Sequence, residues 1–170
     1  MRSSSSILGA LILGLPALSG CFLGPMPASV GHPLAGATAP EFHELATSER
    51  EVGLPGSPRV RVTVVDFWAS WCETCKEAMP ALDALWRDKQ EDGVMVIGVS
   101  VDESPDDAML AMQHLHATFP VVLDPGMRIA GSFSVGSVPT TFVVDRKGVV
   151  RWVGHDPTLA RRAVDVVLHE

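Results

Sequence analysis

From residue 60 onward, apolar positions alternate between short continuous runs and stretches of helical spacing. Val60–Trp68 (VRVTVVDFW) is rich in β-branched residues and nearly continuous, the signature of a strand buried on both faces. From Cys72 to Lys89, Met79, Leu82, Leu85 and Trp86 fall at helical spacing, with Pro80 predicting a kink. Val94–Val101 reads as a second buried strand. Ser104-Pro105-Asp106-Asp107 reads as a helix start, with a cap, a proline at the first position and acids in the first turn. Ala108, Met112 and Leu115 give that helix its inward face. A third strand is predicted over Phe119–Leu123 and a short helix over Gly126–Ser132. Thr140–Val144 and Val149–Val153, joined by Asp145-Arg146-Lys147-Gly148, predict a hairpin. Leu159, Ala163 and Val167, beside Ala160, Val164 and Leu168, line a closing amphipathic helix. Earlier in the chain, Glu41–Leu45 suits a leading strand and Ser48–Pro58 a surface loop. This order predicts an α/β three-layer sandwich, a central mixed β-sheet flanked by helices.

The first twenty residues follow a different rule. Arg2 and Ser3–Ser6 precede an apolar run of twelve residues, Ile7–Leu18. That run is shorter than the roughly 20 residues a membrane-spanning helix needs and suits an export signal. It ends in Leu18-Ser19-Gly20-Cys21, which resembles the bacterial lipobox, whose cysteine is lipidated and becomes the mature N-terminus. An ordinary signal peptide with Cys21 incidental is the alternative. Residues 22–38, rich in Gly, Pro, Ala and Ser, suit a flexible tether. The expected organisation is a lipoprotein signal peptide at 1–20, a tether at 21–38 and one domain at 39–170. The chain's 170 residues and 46% hydrophobic content suffice for one core. A formal charge of −7, or −8 once Arg2 is removed, speaks against a nucleic-acid partner.

Lipidation of Cys21 leaves two cysteines, in Trp71-Cys72-Glu73-Thr74-Cys75. The motif falls after a strand and at a helix start. There the first-turn N–H groups are unpaired and the helix dipole favours a thiolate on Cys72, the reactive form. Spacing by two residues lets Cys75 reach back one turn and close a disulfide. Cys72 can then attack a partner disulfide and Cys75 can expel it. A zinc site would need another Cys/His pair, which the six scattered histidines do not supply, so no metal is expected. A purely structural disulfide would close too small a loop to stabilise much. The motif also does not resemble that of a peroxidatic cysteine.

Val65–Lys76 (VDFWASWCETCK) strongly resembles the thioredoxin active-site stretch. Met79-Pro80-Ala81-Leu82, Gly98–Asp102 (GVSVD) and Val138–Asp145 (VPTTFVVD) resemble the TlpA/ResA branch of membrane-tethered extracytoplasmic thioredoxins. The likeness covers roughly residues 39–170 and implies a thioredoxin-like fold. It also implies a cis-proline at Pro139 beside the disulfide, with Val138 offering its backbone to a substrate strand. Trp71 would shield Cys72 and give an apolar contact. Asp66 matches the buried acid that relays a proton for the resolving cysteine, and an acid in an apolar strand is costly unless it has a role or partner. The branch often places Glu where this chain has Ala78. Glu77 lies one residue earlier, about 100° around the helix, which leaves proton transfer to Asp66.

Together these features predict an exported thiol–disulfide oxidoreductase, catalytic at Cys72, Cys75 and Asp66, that reduces protein disulfides. The resemblance implies protein disulfide or dithiol clients, cytochrome apoproteins among the possible kinds, and electrons from a membrane thiol donor. It requires no organic cofactor, and a monomer held to the membrane by its lipid is expected. Phe22, where Asp often signals inner-membrane retention, favours the outer membrane in a Gram-negative cell. Two rival readings are a disulfide-donating oxidase and a metal-handling binding module. Glu73 and Asp66 oppose thiolate formation and so favour the reducing direction. Metal-handling relatives space their cysteines three apart, unlike the pair here.

Overall fold

The computed structural model describes residues 24–170. The proposed signal segment and the lipidation candidate Cys21 lie outside the described residues. A hairpin of β1 (Phe42–Leu45) and β2 (Glu51–Leu54) precedes β3 (Val62–Trp68), α1 (Glu73–Lys89) and β4 (Val94–Ser100). Next come α2 (Pro105–Leu115), β5 (Val121–Leu123) and α3 (Arg128–Ser132). The chain closes with β6 (Thr140–Asp145), β7 (Val150–Gly154) and α4 (Pro157–Leu168). The main sheet has the order β5-β4-β3-β6-β7, parallel across β5-β4-β3 and antiparallel across β3-β6-β7. It is the mixed sheet of an α/β sandwich.

Every residue of β3 and β4 is buried, which accounts for their uninterrupted apolar runs. Phe67 of β3 and Phe142 of β6 meet Phe133 with ring centroids 5.2 and 5.1 Å apart, and Phe42 of β1 reaches the same ring at 6.0 Å. This places the leading hairpin on the core. α1 continues through Pro80, which lacks the N–H that would bond the Lys76 carbonyl. Asp156 caps α4 by accepting the Thr158 N–H at 2.7 Å, with Pro157 at the first helical position. Of the residues predicted to line α4's inner face, Leu159 is exposed while the other five are buried.

Two segments differ from expectation. The stretch Ser48–Pro58, expected as a loop, contains β2, paired antiparallel with β1 from Phe42↔Leu54 to Leu45↔Glu51. Burial of Val52 and Leu54 against the core supplies what four residues with a central glycine lack in propensity. The second segment, read above as tether, lies against the fold from Met26. Val30 donates its N–H to the Val153 carbonyl at 2.9 Å, and Gly36 donates to Val150 at 2.9 Å. Thr38 bridges Val149, and the Trp152 indole donates to the Ala28 carbonyl at 3.1 Å. β7 would otherwise present an open edge; this strap satisfies its backbone groups.

Candidate active site around Cys72 and Cys75

β3 ends at Trp68, and the chain turns through Ala69–Trp71 into α1. Cys72 is the N-cap of α1 and Cys75 lies in its first turn; they are joined by a disulfide with Cα atoms 5.2 Å apart. Cys72 Sγ also accepts the Cys75 backbone N–H at 3.2 Å. One otherwise orphaned first-turn donor therefore points at this sulfur. Cys72 is 7% exposed and Cys75 1%, so the N-terminal cysteine is the less deeply buried of the two. Trp71 is 70% exposed beside it. It therefore presents an apolar ring at the surface, and its indole is not part of the core.

The turn ahead of Cys72 is held from the next strand. Asp102, buried just past β4, accepts the Ser70 N–H at 2.9 and 3.0 Å and the Ser70 hydroxyl at 2.7 Å. It also accepts the Ser100 hydroxyl at 2.7 Å. Asp102 belongs to the GVSVD stretch that carries part of the family likeness, yet its role as anchor of the active-site turn was not read from the sequence. The available signal was an acid at the end of a buried strand.

Asp66 sits in the middle of β3, 2% exposed, opposite Gly98 on one side and Thr141 on the other. The Thr141 hydroxyl donates to Asp66 Oδ1 at 2.6 Å. Burial pushes the Asp66 carboxyl up from 3.8 to about 7, and the Thr141 hydrogen bond only partly offsets this. An acid poised there can take up and release a proton near neutral pH.

The Val138–Pro139 peptide bond is cis, at the loop leading into β6. β6 pairs with β3 as far as Phe67↔Thr140, which carries this loop to the end of the sheet where α1 begins. Val138 and Trp71 line a common groove of about 590 Å³, rimmed by Glu103 and Asp107. On the other flank, Pro139 shares a cleft of about 420 Å³ with Thr74, Glu77 and His155. Of the pair weighed above, Ala78 is buried and Glu77 is exposed on the rim of this cleft. Among the described residues, no group of three or more His, Cys, Asp or Glu side chains could hold a metal ion.

A mixed sheet with a CxxC disulfide at a helix N-terminus defines a thioredoxin-fold protein carrying a dithiol–disulfide pair. Residues 35–153 match the AhpC/TSA family, and the chain belongs to that family. The thiol–disulfide oxidoreductase ResA of Bacillus cereus is 35% identical over 86 residues, covering 51% of this chain and 50% of the relative. That of Geobacillus thermodenitrificans is 32% identical over 116 residues, covering 68% and 66%. The chain thus spans between half and two-thirds of these relatives' lengths. A crystal structure from Chlorobium tepidum, assigned as a thiol:disulfide interchange protein DsbE, superposes with a TM-score of 0.71 at 28% identity. That superposition covers 79% of this chain and 97% of the other.

Proposed function

We propose that this chain is an extracytoplasmic thiol–disulfide oxidoreductase that reduces protein disulfides with its Cys72/Cys75 pair. The observation that carries the reading is the placement of Cys72 Sγ at the α1 N-terminus, accepting the Cys75 N–H, in the less deeply buried residue of the pair. In the dithiol form, the Cys72 thiolate attacks one sulfur of a client disulfide, and the other client sulfur leaves as a thiolate. Asp66 accepts the Cys75 proton. The Cys75 thiolate then attacks Cys72 Sγ and releases the second client thiol, leaving the Cys72–Cys75 disulfide. Two electrons from a membrane dithiol donor restore the dithiol form. Trp71 and the Val138 backbone receive the client, whose extended segment lies along the groove they line. Alkylation of the reduced protein near neutral pH is expected to modify Cys72 well before Cys75, read by peptide mass spectrometry. Faster labelling of Cys75 reverses the assignment of nucleophile and resolving thiol.

The sequence supports a location in the cell envelope. Among the described residues no helix is long and apolar enough to cross a membrane. The Leu18-Ser19-Gly20-Cys21 motif supports a lipid on Cys21 instead, with the domain in the periplasm or its equivalent. Several acyl chains, at about 0.8 kcal/mol per buried methylene, hold a protein firmly where one chain is marginal. Cys21→Ser is expected to move the protein from the membrane to the soluble envelope fraction. Retention of the variant in the membrane fraction contradicts the anchor. Phe22 after that cysteine favours the outer membrane where there is one, and reduction of cytochrome apoproteins is one client role the resemblance supports.

A further inference from the structure

The geometry points to His155 as a positioning residue for protein clients, acting through the carbonyl of Pro139. This rests on the client-reduction reading above, and it concerns a side chain that the sequence shows only as one of six scattered histidines.

The ladder between β6 and β7 ends at Thr141↔Gly154, so Pro139 lies beyond its last pair. Proline has no N–H, which leaves the carbonyl as the one polar group Pro139 can use to fix its orientation. The His155 imidazole supplies the donor, with Nδ1 at 2.6 Å from the Pro139 oxygen. Because a carbonyl only accepts, the ring carries a proton on Nδ1, whether neutral or cationic. On the other flank the Thr140 hydroxyl donates to the Ser137 carbonyl at 2.7 Å. Between these two fixed carbonyls sits Val138, and no described residue makes a hydrogen bond to its N–H or its carbonyl. Val138 also faces the groove that contains Trp71.

Side-chain bonds therefore hold the loop from both sides while the backbone at its centre stays open. An edge prepared in this way spares an incoming strand the cost of ordering it. A small disulfide attacked at Cys72 needs no such edge. The role of His155 is thus specific to extended clients, and it runs through a hydrogen bond rather than through charge.

The test compares His155→Ala and His155→Asn with the wild type, using insulin as protein disulfide and hydroxyethyl disulfide as small substrate. Asparagine Nδ2 occupies nearly the place of imidazole Nδ1 and can donate to the same carbonyl. His155→Ala is expected to raise KM for insulin about three- to tenfold, the scale of one lost hydrogen bond, with kcat little changed. Turnover of hydroxyethyl disulfide is expected to stay within about twofold, and His155→Asn to recover most of the insulin KM. An unchanged insulin KM in the alanine variant overturns the proposal. So does an equal loss on both substrates, or an asparagine variant no better than alanine. If wild-type protein fails to reduce insulin, the client-reduction reading fails first, so the two failures are distinguishable.

Discussion

Cys75→Ala is expected to abolish catalytic turnover and to leave Cys72 joined to its clients as mixed disulfides. Cys72 remains at the helix N-terminus, still able to attack, and the Cys75 backbone N–H that points at its sulfur survives the substitution. What is lost is the second attack, the step that releases the client. Steady-state reduction of protein disulfides should fall by about three orders of magnitude or more, as for loss of either member of a nucleophile pair. Non-reducing electrophoresis of envelope extracts, followed by mass spectrometry of the shifted bands, should identify clients linked through Cys72. A Cys72→Ala variant should capture far fewer, because Cys75 is only 1% exposed. Equal trapping by the two variants would falsify the division of labour.

Asp66→Asn is expected to act in opposite directions on turnover and on stability. Asn keeps the volume and can still accept from Thr141, but it cannot take a proton. The resolving step in the wild type should speed up as pH rises through about 7, where Asp66 becomes ionised and able to act as base. The variant should lose that inflection and run about a hundredfold slower at neutral pH. For stability, the acid is held protonated in the fold up to about 7 but ionises at its ordinary 3.8 when the chain unfolds. The stabilising effect of the protonated form is complete below 3.8 and is lost as pH rises to about 7. At about 1.36 kcal/mol per decade of pH, the wild type should lose about 4 kcal/mol across that window. The variant, having no charge to bury, should lose none of it. Urea unfolding of the disulfide forms at about pH 4 and pH 8, which bracket most of that window, measures the difference. A stability gap between the two proteins that does not grow with pH contradicts a buried, proton-exchanging Asp66.

The elements most legible in the sequence were those whose burial is written into consecutive residues. β3 and β4 are wholly buried, and their β-branched runs announce it. The CxxC pair and Asp66 were legible for a related reason, since each is a chemical anomaly at a fixed place in a strong pattern. β2 was missed because Glu51-Val52-Gly53-Leu54 has no strand signal of its own; it pairs because β1 and the core are already there. Asp102 and His155 escaped because their partners are 32 and 16 residues away and are backbone or hydroxyl groups. No local spacing encodes such a bond. The strap along β7 escaped too, since Gly- and Pro-rich composition describes a segment's own preferences and not the open strand edge it meets.

With a lipid on Cys21, that strap would set how far the redox centre could travel. The chain is already packed against the domain at Met26, five residues after Cys21. Fully stretched, five residues span at most about 18 Å, whereas a free tether to Thr38 would have reached well beyond that. The strap also meets β7 at Val153, the end of that strand next to His155 and Pro139. A lipid at Cys21 would therefore hold the domain close to the bilayer surface. Meetings with a membrane donor would become a search in two dimensions, with soluble clients obliged to come to the membrane to be reduced.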